Sequence, residues 1–249
     1  MASVTQAVAQ RYSCRDFIPD KVPDEALLRE ILTKASRASS DGNTQPWRMY
    51  VLSGAAKDAV VDAVQKSNLR EAVSEYHNYP DQKASSHIVY DDAELTKKTN
   101  ERMQHFRKTI YSQRRKVCGE MLYKSINVAK EDLPGKLQQL QKNGSFFNAP
   151  VGIIVTLDRM FDRCGWGNVG MYLATFALLC EEAGLSTCFQ GYFGVNHAAV
   201  EKVITQMDPE TEVIWCGIAV GYANQEHPIN SWRTERAKID EYAHFISKL

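Results

Sequence analysis

Apolar residues recur every three or four positions after Pro23, and this spacing predicts an amphipathic helix that ends near Ala38. A similar pattern from Ala55 to about Tyr76 predicts a second helix. Between the two, the short apolar run at residues 49–52 predicts a strand, because Ser and Gly follow it directly. The first third of the chain therefore alternates helix, strand and helix.

Two longer runs, at residues 151–158 and 212–222, are continuous and rich in β-branched side chains, which is typical of strands covered on both faces. Residues 167–184 predict a helix that is apolar in nearly every direction. Such a helix needs cover all round, so we expect it to lie between the sheet and a second subunit. Residues 186–193 predict a further strand and residues 196–207 a short helix, which together indicate one α+β domain.

Composition and charge exclude several classes of protein. Hydrophobic residues make up 44% of the 249 positions and charged residues 24%, which are globular values. Thirty Lys and Arg balance thirty Asp and Glu, so no global field favours nucleic acid or a membrane as a partner. The six cysteines are scattered without a C-x-x-C pair, which predicts reduced thiols and a cytoplasmic location. The histidines show no metal-ligand spacing, so no metal site is predicted.

The region from 91 to 143 differs from the rest of the chain. It holds twelve Lys and Arg and seven Asp and Glu, and apolar residues become sparse. We interpret residues 80–145, approximately, as a charged helical insertion or lid on a single domain that spans residues 1–249. A basic nucleic-acid-binding arm is the alternative, but aromatic and basic residues do not interleave as base stacking requires.

Candidate chemistry is concentrated near the two ends of the chain. No dinucleotide-binding, P-loop or nucleophile-elbow motif is present, which disfavours dehydrogenases of the Rossmann class, P-loop enzymes and α/β-hydrolases. Two arginine-rich segments remain, at residues 11–15 (RYSCR) and 232–236 (WRTER). Guanidinium groups bind phosphate oxygens in pairs, and a serine hydroxyl adds a short donor. Taken alone, the first segment is better explained by two surface arginines and a turn serine, and the second is also compatible with surface salt bridges.

Four segments, taken in their order along the chain, make the prediction of function more specific. They are residues 11–15, the loop 39–47 (SSDGNTQPW), residues 167–191 and residues 233–236. In these segments the chain resembles the nitroreductase family of FMN-dependent oxidoreductases. The resemblance implies a nitroreductase-like α+β fold with a central, mostly antiparallel sheet flanked by helices, and an intertwined homodimer.

The resemblance also implies a cofactor site made from both ends of the chain. Arg11 and Ser13 would bind the phosphate and ribityl chain of FMN, with Tyr12 in the same segment. Arg15 would approach the N1/O2 edge of the isoalloxazine, where a fixed cation suits the negative charge that reduction places there. Each pK unit by which that anion is favoured corresponds to about 1.4 kcal/mol. The closing segment would add Arg236 at the phosphate, with Arg233 beside it.

Two further segments would contact the flavin ring by resemblance. The loop after the first long helix would come from the neighbouring subunit, with Ser39 and Ser40 along the dimethylbenzene side and Asn43 nearby. Ser39 stands where the family usually has proline, which is a departure at the backbone contact. Backbone amides at Gln190 and Gly191 would meet N5 and O4, and glycine would leave the ring face open to hydride.

The activity that the resemblance implies is an FMN-dependent NAD(P)H oxidoreductase with a ping-pong mechanism. NADH or NADPH would deliver hydride and leave, and a nitroaromatic or quinone acceptor would then take its place. Because the flavin carries the chemistry, no catalytic acid or base is predicted. The alternatives are the same scaffold running another flavin reaction, such as dehalogenation or dehydrogenation, and a non-enzymatic nucleotide-binding module.

Overall fold

The computed structural model describes residues 3–67, 104–161 and 163–247. In chain order the helices and strands are α1 (Val4–Gln10), α2 (Glu25–Ala35), β1 (Arg48–Ser53), α3 (Gly54–Lys66), α4 (Ile110–Ser125), α5 (Leu133–Gln141), β2 (Val151–Asp158), α6 (Arg163–Glu182), β3 (Ser186–Gln190), α7 (Tyr192–Val195), α8 (His197–Glu201) and β4 (Glu212–Gly221). Short 3-10 turns lie at Asp41–Asn43, Lys142–Asn148, Pro228–Asn230 and Ile239–Glu241.

The four strands form one sheet in the order β1-β2-β4-β3, and every neighbouring pair is antiparallel. The predicted α+β fold with a mostly antiparallel central sheet is confirmed. The two central strands, β2 and β4, are buried along almost their whole length. Their continuous apolar sequence is required because helices cover both faces of the sheet.

Alternate residues of β2 face two separate hydrophobic cores. Ile153 and Val155 pack with residues of α2 and α6 on one face. Ile154 points the other way, into a core that contains Val60 of α3 and Phe193 of α7. The domain is therefore a sheet between two helical layers, and α6 is the long helix of the first layer.

Two glycines in the central strands make room for a stacked aromatic pair. Phe146 and Phe193 lie with ring centroids 4.2 Å apart. A Cβ atom at Gly152 would lie 2.5 Å from the Phe146 ring, and one at Gly217 would lie 2.2 Å from Phe193. Any larger residue would displace the rings, so the glycines fix the 142–148 turn beneath the end of β3.

The structure corrects two of the predicted elements. The strand predicted at 186–193 ends at Gln190, because the chain turns at Gly191 into α7. The helix predicted at 196–207 is shorter, and α8 ends at Glu201. The helix predicted from Ala55 is observed as α3 up to Lys66, and the rest of that prediction lies outside the described residues. Residues 80–103 of the predicted insertion also lie outside them.

Helix α6 is covered on only part of its circumference. Tyr172 and Phe176 are buried against the sheet and α2, whereas Met171 is 46% exposed and Ala174 is also exposed. The all-round cover that its sequence predicts is thus not supplied within one chain. Among residues 3–67, 104–161 and 163–247, no helix combines the length and the hydropathy needed to span a bilayer.

Candidate cofactor-binding cleft

The segment that follows α1 lies along the edge of the sheet at β3. Ser13 forms a parallel bridge with Thr187, and the Cys14 N–H donates to the Thr187 carbonyl at 3.0 Å. Three residues after Cys14, Phe17 forms an antiparallel bridge with Ala223, just after β4. The start of the chain is therefore held between β3 and the segment that leads to the C-terminus.

Asn230 joins these two segments through its side chain. Its Oδ1 atom accepts from the Arg15 N–H at 3.0 Å. Its Nδ2 atom donates to the carbonyls of Asp16, at 2.8 Å, and Asn224, at 2.9 Å. Asn230 is only 1% exposed, so these bonds lie out of water, where an unpaired partner is costly.

An open cleft of about 370 Å³ lies between the two joined segments. Its lining contains six of the residues predicted to bind the cofactor, together with Trp232 of the closing segment and Cys118 of α4; the six are Arg11, Tyr12, Ser13, Arg15, Arg233 and Arg236. The described lining includes four guanidinium groups and no carboxylate. The fold thus brings residues from opposite ends of the sequence to one cationic site.

Three of the four arginines of the cleft are held by neutral groups. The Arg233 guanidinium lies 3.7 Å from the centre of the Tyr12 ring and donates to the Asn230 carbonyl at 2.8 Å. Arg15 donates from Nη1 to the Ser13 carbonyl at 3.1 Å. Arg236 donates from Nη1 to the Thr234 carbonyl, also at 3.1 Å.

No carboxylate of the described chain lies within 4.0 Å of the guanidinium groups of Arg11, Arg15, Arg233 or Arg236. Each guanidinium carries five N–H donors, and the bonds observed use only part of that capacity. The four positive charges therefore remain available to an anion that enters the cleft.

The positive charge of the cleft affects the pKa of two groups outside its described lining, buried Cys188 and partly buried Glu181. Burial raises the pKa of the Cys188 thiol to about 11, and Arg15 and Arg11 oppose that rise. Burial likewise raises the pKa of Glu181, near the end of α6, and Arg11 and Arg233 partly offset it. Glu181 is a carboxylic acid whose titration these arginines affect, and it is absent from the described lining of the cleft.

Helix α4 closes one side of the cleft. Cys118 faces the arginines, and a second cleft of about 290 Å³ continues between α4 and residues 234–241. Arg114 forms an ion pair with Glu241 at 2.9 Å, which attaches the helix to the C-terminal segment. The described part of the predicted insertion therefore borders the site.

The end of β3 presents the backbone of Gln190 and Gly191 beside the same segment. The Gln190 side chain is buried and donates to the Asn143 carbonyl at 2.8 Å, so it points away from the cleft. Gly191 is exposed, and a Cβ atom added there would meet nothing within 4 Å. Within one chain no contact requires glycine at this position, and the predicted approach of a flavin ring stays a prediction.

The structure does not bring the loop of Ser39, Ser40 and Asn43 into the described lining of the cleft. This loop lies at the other end of α6, where the Asp41 N–H donates to the side chain of Asn168 at 3.3 Å. The 14 residues from Asn168 to Glu181 extend for about 20 Å along a helix. In a single protomer, the loop and the arginine cleft are therefore well separated.

The loop itself has an unusual backbone. Asn43 and Gln45 have φ values of 58° and 48°, in the left-handed region that non-glycine residues seldom occupy, and Gly42 has a φ of 55°. The Ser40 hydroxyl accepts from the Gln45 N–H at 3.1 Å and closes the turn. Residues held in such conformations cluster at functional sites, which supports a binding role for the exposed side of this loop.

Sequence reasoning did not identify Cys118, which lines the cleft, or Asn230, which joins the two segments beside it. Asn230 precedes the arginine-rich closing segment, and nothing in its sequence context distinguishes it from a surface asparagine. Cys118 lies in the charged region, where no spacing pattern relates it to residues at the ends of the chain.

A comparison with protein-family models decides the relationship. The model described as the nitroreductase family matches residues 8–222. The chain belongs to the nitroreductase family. The predicted resemblance to this family is thereby confirmed. The match includes the first three of the four segments on which the resemblance was based.

Curated relatives of this nitroreductase-family chain match it over nearly its whole length. It is 30% identical over 239 residues to a 4-nitrobenzoate reductase of Pseudomonas putida, covering 96% of this chain and 93% of that protein. It is 32% identical over 242 residues to a 4-nitrobenzoate reductase of Nocardioides sp., covering 96% of this chain and 88% of the relative.

Solved structures share the fold. The FMN and NADPH-dependent nitroreductase NfnB of Sphigopyxis sp. strain HMH superimposes with a TM-score of 0.79 at 30% identity, covering 99% of this chain and 100% of that chain. The FMN-dependent nitroreductase NfnB of Mycobacterium smegmatis, solved with NADPH, has a TM-score of 0.77 at 23% identity, covering 98% and 100% of the two chains. The second likeness concerns the fold alone.

Proposed function

We propose that this protein is an FMN-dependent NAD(P)H nitroreductase that passes hydride, by a ping-pong mechanism, to nitroaromatic or quinone acceptors. The observation that carries the proposal is the cleft in which Arg11, Arg15, Arg233 and Arg236 meet without a carboxylate partner in the described chain. Two 4-nitrobenzoate reductases and an FMN and NADPH-dependent nitroreductase at 30% identity or more support the same activity.

The chemistry of the cleft fits the phosphate of FMN. A phosphate monoester carries a charge of about −1.5 to −2 near pH 7 and three strong acceptor oxygens. Arg11 on one wall and Arg236 on the other offer free N–H donors, and Ser13 adds a hydroxyl. A site with several guanidiniums between two chain segments suits a ligand that is anionic at one end.

Bound FMN would supply the ring that accepts and donates hydride. The protein's own contribution is binding and orientation. Arg15 would hold positive charge at one edge of the ring, because Asn230 fixes its backbone and Ser13 accepts from its guanidinium. The exposed end of β3 at Gly191 would leave the opposite side open to the nicotinamide and to the acceptor.

We infer that the active form is a homodimer in which each loop of Ser39, Ser40 and Asn43 contacts the flavin of the partner. Two observations favour it. The loop lies outside the described lining of its own cleft, and apolar residues that a partner could cover are exposed on α6 and on the C-terminal segment. These residues are Met171, Ile239, Tyr242, Phe245 and Ile246, and the exposed fraction of Phe245 is 84%.

We infer that residues of about 80–145 act as a lid that selects the acceptor. Cys118 of α4 already borders the cleft, and the Arg114–Glu241 ion pair attaches the helix to the closing segment. An exposed ion pair contributes only about 0–1 kcal/mol, so this pair alone does not fix the helix over the cleft.

The proposed partners are a small-molecule acceptor and a second copy of the chain, with no nucleic acid and no membrane. The balanced charge supports this choice. We also propose a cytoplasmic location, because Cys14, Cys180, Cys188 and Cys216 are buried thiols without a disulfide.

The decisive experiment combines the visible spectrum of the purified protein with steady-state assays. We expect a yellow protein that oxidises NADH or NADPH when 4-nitrobenzoate or menadione is added. A colourless protein that does not take up FMN, with salt-dependent affinity for nucleic acid, would favour the nucleotide-binding module instead. A yellow protein that oxidises neither nucleotide would favour another flavin reaction on the same scaffold.

A further inference from the structure

The walls of the arginine cleft come from segments more than two hundred residues apart in the sequence, at 11–15 and 229–236. No helix or strand contains both segments. An anion that touches both walls is sensitive to their separation, because the strength of a hydrogen bond falls steeply with distance and misalignment. The group that sets this separation therefore affects affinity without touching the ligand.

The position of Asn230 allows it to set the separation of the two walls. Each polar atom of the residue has a partner in the fold. The side chain binds the Arg15 N–H and the carbonyls of Asp16 and Asn224, while the backbone N–H donates to His227 at 2.9 Å. The backbone carbonyl accepts from the Arg233 guanidinium at 2.8 Å.

One residue thus connects arginines on opposite walls. The Asn230 side chain accepts from the Arg15 backbone N–H at 3.0 Å, and the Asn230 backbone carbonyl accepts from the Arg233 guanidinium at 2.8 Å. Asn230 itself is absent from the described lining of the cleft and is 1% exposed, so it reaches no ligand directly.

We propose that Asn230 is a positioning residue that fixes the spacing of the two walls and thereby makes the cleft selective for a phosphorylated flavin. The inference rests on the proposed FMN-dependent function. Riboflavin, which lacks the phosphate, would not bridge the walls, so its binding would be insensitive to their separation. FMN would bridge them and would sense every change.

The experiment compares dissociation constants of FMN and riboflavin for the apoprotein, measured by quenching of flavin fluorescence. In Asn230→Ala, loss of wall alignment should raise the FMN constant roughly 10- to 100-fold, the range of one hydrogen bond to a charged group. The riboflavin constant should rise less than about threefold, because riboflavin shares the ring contact with Arg15, which Ser13 also holds, but has no phosphate that spans the two walls. General destabilisation would move both constants alike, so their ratio separates positioning from a structural role.

Asn224→Ala is the matched control. The Asn224 side chain also bridges the two segments, donating to the Asp16 carboxylate at 2.9 Å and accepting from the Glu226 N–H at 3.2 Å. It is bonded to neither Arg15 nor Arg233. This variant should lose stability in a thermal melt while keeping the wild-type ratio of FMN to riboflavin affinity.

Three results would overturn the inference. The first is an unchanged ratio of FMN to riboflavin affinity in Asn230→Ala. The second is a change of that ratio in Asn224→Ala as large as in Asn230→Ala. The third is failure of both Asn230→Ala and Asn230→Ser to fold while Asn224→Ala folds. The last result would assign Asn230 a purely structural role. If wild-type protein itself binds no FMN, the proposed function fails, which is a distinct outcome.

Discussion

The arginine cleft and the loop at residues 39–47 were predicted to bind the same cofactor, yet they lie apart within one chain. The cleft is assembled by one chain, with Arg11 and Arg236 on facing walls and Asn230 between them. The loop lies at the other end of α6, about 20 Å along the helix from Glu181. One chain therefore assembles the cleft that we propose binds the phosphate, and we infer that the ring-binding half of the site needs two chains.

The largest expected effect is a loss of FMN affinity at the arginine cleft, which one chain assembles. Replacing both Arg11 and Arg236 by Ala removes two guanidiniums, each worth about 1.5–3 kcal/mol to an anion. The FMN dissociation constant should rise about 1,000-fold in a fluorescence titration. Arg29→Ala is the control, since this exposed arginine pairs with Glu25 on α2 and should leave the constant unchanged. Binding that survives the double change would place the phosphate elsewhere.

The second effect is on assembly. Replacing Phe245 and Ile246 by Ser removes side chains that are 84% and 72% exposed in one chain. If a partner buries them, each contributes about 1.5–3 kcal/mol, and the dimer dissociation constant should rise about 100-fold or more.

Sedimentation velocity over a range of concentrations measures this change. The resulting monomer should keep the cleft and its affinity for inorganic phosphate but lose NAD(P)H oxidation. A variant that sediments as wild type would show that this segment is not part of the interface. A monomer with full activity would contradict the shared site.

The third effect is on the loop. Ser39 is exposed in one chain, so Ser39→Trp should fold normally. Placed against the flavin of the partner, the indole should lower FMN affinity or activity at least about tenfold, in the range of an overpacked core. Thr205→Trp, at an exposed threonine elsewhere, is the matched control. Equal, small effects of the two substitutions would remove the loop from the site.

The smallest effect concerns Glu181, outside the described lining of the cleft. Its raised pKa means that it gains its negative charge only as the pH rises above the usual glutamate range, and that charge opposes the bound phosphate. Glu181→Gln should therefore bind FMN about threefold more tightly at pH 8, since screening keeps such interactions small, and this advantage should shrink as the pH falls and Glu181 becomes protonated. Titration of the phosphate itself affects both proteins alike. Equal affinities at every pH would show that Glu181 does not reach the site.

Several features were predictable from local sequence. The apolar runs of β2 and β4 are uninterrupted, and the apolar residues of α2 recur at helical spacing. Both patterns arise from burial, so they predict the central strands and the helix α2 that flanks them. The arginines at both ends of the chain were identified by residue type and by resemblance. Their convergence on one cleft depends on the bridges of Ser13 and Phe17 to distant partners.

Other features could not be read from local patterns. The strand predicted at 186–193 stops early because Gly191 turns the chain into α7, although the apolar pattern continues through Phe193. The role of Asn230 depends on contacts with residues more than two hundred positions away. Contacts of that kind leave no trace in spacing or composition.

Subunit complementation tests the shared site most directly. One partner carries Arg11→Ala with Arg236→Ala, and the other carries Ser39→Trp, so that each homodimer lacks both of its sites. In a re-equilibrated equal mixture, half of the dimers are hybrids, and each hybrid regains one site made of a wild-type cleft and a wild-type loop. The account predicts about a quarter of wild-type NAD(P)H oxidation in the mixture. Activity no greater than the mean of the two separate variants would contradict it.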